Sequence, residues 1–150
     1  MFVQFLQWQG ITLQVEANDH AVTAVRRTAA AAGDCPNAVT ARCCEELTAY
    51  FAGELRAFTV PTQTHGTVFQ ETVWQALRAI PYGETRSYGQ IAAAIGRPTA
   101  CRAVAQAIGR NPLLIFNPCH RVIGMDGSLT GFSAGLDLKK LLLRREDILC

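Results

Sequence analysis

Apolar and polar residues alternate at the start of the chain. Phe2 to Trp8 and Ile11 to Glu16 are short runs of period two on either side of Gln9-Gly10, which predicts a β-hairpin. Ala21 to Arg26 reads as a third strand. Ala29 to Asn37 is small and polar, with Gly33-Asp34 and Pro36-Asn37, and predicts a loop. From Val39 to Phe51 the period becomes helical, with Val39, Cys43, Leu47 and Tyr50 on one face and Gly53 as the stop. Phe58 to Val60 is expected as a last edge strand. Pro61 to Gly66 is a linker by composition, so the expected domains are 1–64, α/β, and 65–150, mainly helical.

The second domain opens with a helix from Val68 to Ile80, capped by Thr67 and striped by Phe69, Val73, Leu77 and Ile80. Pro81-Tyr82-Gly83 stops it. Ser87 caps a short helix through Ile95, Gly96-Arg97-Pro98 turns, and Thr99 caps a helix from Ala100 to Gly109. Two short helices joined by a tight Gly-containing turn form the helix-turn-helix pattern. A strand from His120 to Ile123, a turn at Asp126-Gly127 and a return toward Phe132 would make a wing, and Asp137 to Glu146 a closing basic helix.

With 150 residues, 49% of them hydrophobic, the chain can bury one ordinary core or two small ones. No apolar run approaches the ~20 residues of a membrane span. Met1 to Leu6 lacks a basic region and a cleavage site, so no signal peptide is read and a cytoplasmic, intracellular location is expected. Six scattered cysteines then stay thiols, most of them as small buried hydrophobes. Charge is uneven. Residues 1–64 hold four arginines against six carboxylates, whereas residues 65–150 hold ten basic against six acidic side chains. A basic face on the second domain suits phosphate contact, although on charge alone a solvated surface is the favoured reading.

The candidate chemistry sits in Asn117-Pro118-Cys119-His120-Arg121-Val122-Ile123. Proline fixes φ and removes a donor, so the thiol occupies a defined bend. A thiolate is the reactive form, favoured beside cations or a paired histidine. Neighbours in a strand point to opposite faces, so adjacency alone does not make His120 the base for Cys119. Glu146, between Arg145 and Asp147, reads by itself as an exposed helix acid, and Asn111 before Pro112 as a turn residue. Cys35, Cys43, Cys44 and His20 lack zinc-ligand spacing, and no Gly-rich phosphate loop appears, so no metal and no cofactor are expected.

From Val68 to Glu146 the chain resembles the O6-alkylguanine-DNA alkyltransferases, whose hallmark is Pro-Cys-His-Arg-Val. The resemblance implies a ribonuclease-H-like N-terminal domain and a C-terminal winged helix-turn-helix. It also implies a monomer that acts without a membrane, on the minor groove of double-stranded DNA. Cys119 would accept, once and irreversibly, the alkyl group of O6-alkylguanine or O4-alkylthymine. His120 would deprotonate Cys119 through a water, oriented by Glu146, and Asn111 would hinge the recognition helix to the active-site segment. Such a relay predicts a Cys119 pKa below the ~8.5 of a free thiol. A stacked base cannot reach a buried thiol. Tyr88 would rotate the 3′ phosphate, and Arg102 would fill the vacated stack, with Ser87, Thr99 and Ala103 along the DNA and Ala100 and Ala107 leaving room for it. The guanine pocket would comprise Tyr88, Leu114, Ser133, Lys139 and the backbone carbonyls of Cys119 and Val122.

The chain departs from the family pattern at Asn117, usually aliphatic, at Leu114, often proline, at Ala134, often glycine, and at Cys101, usually alanine. Leu114 and Ala134 lead us to expect a narrower pocket entrance. Two other classes fit less well. An alkyltransferase-like lesion sensor would replace the cysteine, and a Cys-His-Glu hydrolase would need neither Tyr88 nor Arg102.

Overall fold

The computed structural model describes residues 1–129 and 132–149. The chain divides into two compact units, Met1–Thr64 and His65–Cys150. Among the described residues its α/β content comprises a small antiparallel sheet, a two-stranded parallel pair and five α-helices.

In the first unit, β1 (Phe2–Trp8), β2 (Ile11–Ala17) and β3 (Val22–Thr28) pair antiparallel in that order. Gln9 and Gly10 both take positive φ (49° and 80°), the geometry of a two-residue turn that matches strand twist. The central strand buries Ile11, Leu13, Val15 and Ala17 on alternate positions. Helix α1 (Ala38–Phe51), closed by a reciprocal Asn37–Thr40 cap, lies on the sheet and buries Cys43, Cys44, Leu47, Tyr50 and Phe51. Phe51 stacks on Trp8 with centroids 4.2 Å apart. The edge strand expected over Phe58 to Val60 does not form. The Glu46 carboxylate accepts from the N–H groups of Thr59 (2.8 Å) and Val60 (3.1 Å), which a ladder would need. Thr62 instead bridges Val22 in parallel.

The second unit opens with α2 (Val68–Arg78), capped by a Thr67–Gln70 box, which buries Val73, Trp74 and Leu77. Trp74 Nε1 donates to the Ala107 carbonyl at 2.9 Å and so ties α2 to α4 (Cys101–Gly109). Gly66 is required here, since a Cβ would stand 2.5 Å from the Trp74 ring. A two-residue strand β4 (Arg86–Ser87) leads into α3 (Tyr88–Ala94), capped by a Ser87–Gln90 box. Thr99 does not cap α4. The cap residue is Ala100, without a side-chain bond. Arg97 to Ala100 form a turn closed by the Ala100 N–H to the Arg97 carbonyl at 3.0 Å. Pro98 suits the second position of that turn, so Thr99 is spent inside it.

The wing also differs from expectation. Cys119–Arg121 is a 3-10 turn, and β5 is only Val122–Ile123, paired in parallel with β4. The turn at Asp126-Gly127 is present, with the Gly124 N–H bonded to the Ser128 carbonyl at 2.9 Å. No return strand follows among the described residues. Residues 130 and 131 of the expected return, and Cys150, lie outside them. Helix α5 (Leu136–Arg145) closes the chain and buries Leu138, Lys139, Leu142 and Leu143.

Candidate active site

The segment after α4 is shaped by Asn111. Its Nδ2 donates to the carbonyls of Leu113 (3.3 Å) and Asn117 (2.9 Å). Its Oδ1 accepts from the Leu113 N–H and from Asn117 Nδ2, both at 3.0 Å. Leu113, Leu114, Ile115 and Phe116 are buried and anchor the loop. Ile115 takes φ +73°, a conformation that costs a β-branched residue about 1–3 kcal/mol. Pro118 then delivers Cys119 into the 3-10 turn.

Cys119 is buried, and its surroundings decide its state. Burial pushes the thiol up to about 11. A hydrogen bond from the Asn111 side chain, the Lys139 charge and the N–H groups of Cys119 and His120 oppose that rise. The expectation of a thiol more acidic than a free one is therefore overturned, because desolvation outweighs every group that favours the anion. His120 is wholly buried, and burial pushes its pKa down against the hydrogen bond and charge of Glu146. Burial thus favours the neutral form of both neighbours, the Cys119 thiol and the His120 imidazole.

Cys119 and His120 share a turn rather than a strand, so alternation does not separate them. His120 Nε2 lies 2.6 Å from Glu146 Oε2. A carboxylate can only accept, which puts the imidazole proton on Nε2 and leaves a lone pair on Nδ1. Nδ1 is buried, and no described residue bonds to it. Glu146 is 2% exposed, which excludes the surface-acid reading. It accepts from Arg121 Nε (2.7 Å) and Nη2 (3.1 Å) and from the Gly83 N–H (3.2 Å). Arg121 Nη1 donates to the Ile80 carbonyl at 2.7 Å, and its guanidinium lies 5.7 Å from the Tyr82 ring centroid. This bidentate buried pair joins the end of α2, the 3-10 turn and the end of α5.

Lys139 is buried and donates from Nζ to the Val122 carbonyl at 2.6 Å, so that carbonyl is already partly committed. Tyr88, half-buried at the start of α3, has its phenol pushed up by burial and by the neighbouring Cys119 sulfur. The structure thus gathers Asn111, His120, Lys139 and Tyr88 around Cys119, with Glu146 behind. Leu114 and Val122 are buried, Ser87 is half-buried, and Thr99, Arg102, Ala103 and Ser133 are exposed. Unlike exposed Ala103 one turn before it, Ala107 is 3% exposed, buried where α4 meets α2. Cys43 and Cys44 are buried as expected, but Cys35 and Cys101 are exposed.

The family model for "6-O-methylguanine DNA methyltransferase, DNA binding domain" matches residues 68–148, more than half of the chain. The chain belongs to this methyltransferase family. It is 58% identical over 101 residues to the methylated-DNA--protein-cysteine methyltransferase of Methanosarcina acetivorans, an alignment covering 67% of this chain and 65% of that relative's length. The crystal structure of Mycobacterium tuberculosis OGT in complex with DNA is 43% identical, covers 95% of this chain and 90% of its own, and superposes with a TM-score of 0.86. S. pombe Atl1 in complex with damaged DNA containing O6-carboxymethylguanine is 34% identical, with a TM-score of 0.50 over 55% of this chain and 79% of its own.

Sequence reasoning gave no role to three site groups in this family member, although Asn117 stood out as a departure from the family pattern. Arg121, Arg78 and Asn117 all engage the active-site segment. A signal existed for Arg121, because an arginine beside the apolar pair Val122-Ile123 calls for a buried counter-charge. None existed for Arg78, at the end of an ordinary amphipathic helix.

Proposed function

We propose that this chain repairs DNA by direct reversal, moving the alkyl group of O6-alkylguanine, chiefly methyl, and of O4-alkylthymine onto Cys119 in a single irreversible turnover. The observation that carries this reading is the buried thiol beside a neutral imidazole whose one lone pair is free and whose other nitrogen is fixed by Glu146. Proton and nucleophile are balanced as follows. His120 Nδ1 takes the Cys119 proton through a water. The sulfur attacks the alkyl carbon in line, an S–C bond forms, and the C–O6 bond breaks with its electron pair going to guanine. Guanine gains a proton at N1, so the thiol proton ends, in net terms, on the base, and a thioether remains. The Lys139 ammonium and the Asn111 amide favour the transient thiolate.

Helices α3 and α4 act in this reading as the helix-turn-helix of a winged domain approaching the minor groove, and residues 1–64 as a ribonuclease-H-like module of a monomer. Tyr88 rotates the 3′ phosphate. Arg102 fills the vacated stack, and its exposure beside Ala103 and Thr99 supports that role. Tyr88, Leu114, Val122, Ser133 and Lys139 surround the flipped guanine.

The test is intact mass after mixing with an O6-methylguanine oligonucleotide. One methyl is expected on the peptide containing Cys119, and Cys119→Ala abolishes transfer while retaining affinity for the damaged duplex. Methyl on Cys101, or no gain in mass, overturns the reading.

A further inference from the structure

Asn117 stands directly before the Pro-Cys-His-Arg-Val segment and is 1% exposed. An apolar side chain would fill that space without desolvating an amide, so the amide requires a reason. Every polar group of Asn117 is used. Arg78 Nε donates to its Oδ1. Its Nδ2 donates to Asn111 Oδ1 at 3.0 Å. Its carbonyl accepts from Asn111 Nδ2 at 2.9 Å, and its N–H donates to the Leu113 carbonyl at 3.0 Å.

We propose that Arg78 and Asn117 are positioning residues for Cys119, forming with Asn111 a directed chain of donors from the end of α2 into the loop that holds the thiol, where the Asn117 carbonyl also accepts the Cys119 N–H at 2.6 Å. Direction follows from valence. A guanidinium has donors only, so Asn117 must present its oxygen to Arg78 and therefore its NH2 to Asn111. Asn111 must then offer its oxygen to Asn117, which the Leu113 N–H also requires, and turns its own NH2 to the loop carbonyls of Leu113 and Asn117. Each link polarises the next, and the first is charge-assisted. The chain ends on the carbonyls that fix the Cys119 turn, and it holds the Asn111 amide where it opposes the rise of the thiol. The charged and titratable groups that act on the Cys119 sulfur are Lys139 from α5 and Tyr88 from α3; His120 follows it in the turn, with Glu146 and Arg121 against His120 and Glu71 beside Arg78.

The role as a relay to methyl transfer rests on the function proposed above, so the test reads the thiol without that reaction. Iodoacetamide alkylation of Cys119, in which thiolate displaces iodide, is followed by peptide mass from pH 6 to 10.5 in wild type, Asn117→Val, Arg78→Gln and Arg78→Lys. In Asn117→Val and Arg78→Gln the profile is expected to move to higher pH, with the rate at pH 8 falling about three- to tenfold, where tenfold equals one pKa unit. Arg78→Lys keeps a charged donor and is expected within about twofold of wild type. Unchanged profiles in variants that melt like wild type overturn the proposal, as does slowing at every pH without a shift. Should Asn117→Val fail to fold, the two Arg78 variants decide alone. A shift in a protein that transfers no methyl refutes the proposed function and not the relay, whereas methyl transfer without a shift refutes the relay.

Discussion

Burial pushes the Cys119 thiol up to about 11 and holds the His120 imidazole below its usual range, so in the proposed transfer the anion would be made during the reaction rather than stored. The pH dependence follows. Between the lowered imidazole pKa and the raised thiol pKa the reacting form is a thiol and a neutral base, and the proton passes within the pair, so single-turnover transfer from an O6-methylguanine oligonucleotide is expected to stay nearly level from about pH 7 to 9. A rate climbing about tenfold per pH unit over that range would mean that the thiol loses its proton to solvent and not to His120. Glu146 raises the basicity of His120, so Glu146→Gln weakens the proton acceptor and lowers the rate at pH 7.5 by at least about tenfold, the smaller range of general-base effects. The same change strands buried Arg121, and thermal or urea unfolding is expected to show a loss of about 3–5 kcal/mol. The nucleophile itself was legible because its five-residue context is rare. The burial of Glu146 was not legible, because its neighbours Arg145 and Asp147 are less buried and its partner Arg121 lies 25 residues away. The Arg78–Asn117 contact spans 39 residues, and no local pattern encodes such a distance.

Elements were legible where the signal is local chemistry. The caps at Thr67 and Ser87 were, because each needs only a hydroxyl and a glutamine three residues on. The hairpin at Gln9-Gly10 was also local. The edge strand and the cap at Thr99 were not. Each was settled by a competing partner: the Glu46 carboxylate and the turn closed on Arg97. The exposed first turn of α4 carries Arg102, for which no ion pair or hydrogen bond occurs among the described residues. If this helix serves to extrude the base, Arg102→Ala slows repair of duplex DNA at least about tenfold more than reaction with free O6-methylguanine base, since unstacking costs a few kcal/mol. Parallel single-turnover assays check this, and equal slowing on both substrates would make Arg102 a part of the chemistry.

Across the whole molecule the buried titratable groups set a pH window for folding. Cys43, Cys44 and Cys119 all have folded pKa values raised by burial, so above about pH 9 the unfolded chain releases protons that the folded one retains. His120 is depressed by burial, so below about pH 6.5 the unfolded chain gains a proton that the folded one refuses. Stability is therefore expected to fall on both sides, with Tm highest between roughly pH 6.5 and 9. Melting curves at pH 5.5, 7.5 and 10 check it, and a Tm still rising at pH 10 would contradict it. Ile115 carries a further consequence. A β-branched residue does not choose φ +73° by itself; burial of Leu113, Leu114 and Phe116 and the four bonds of Asn111 impose it. The aim of the cysteine is thus a property of the folded unit and not of its short motif. Pro-Cys-His-Arg-Val grafted onto a foreign loop would bring the letters but leave the reactivity behind.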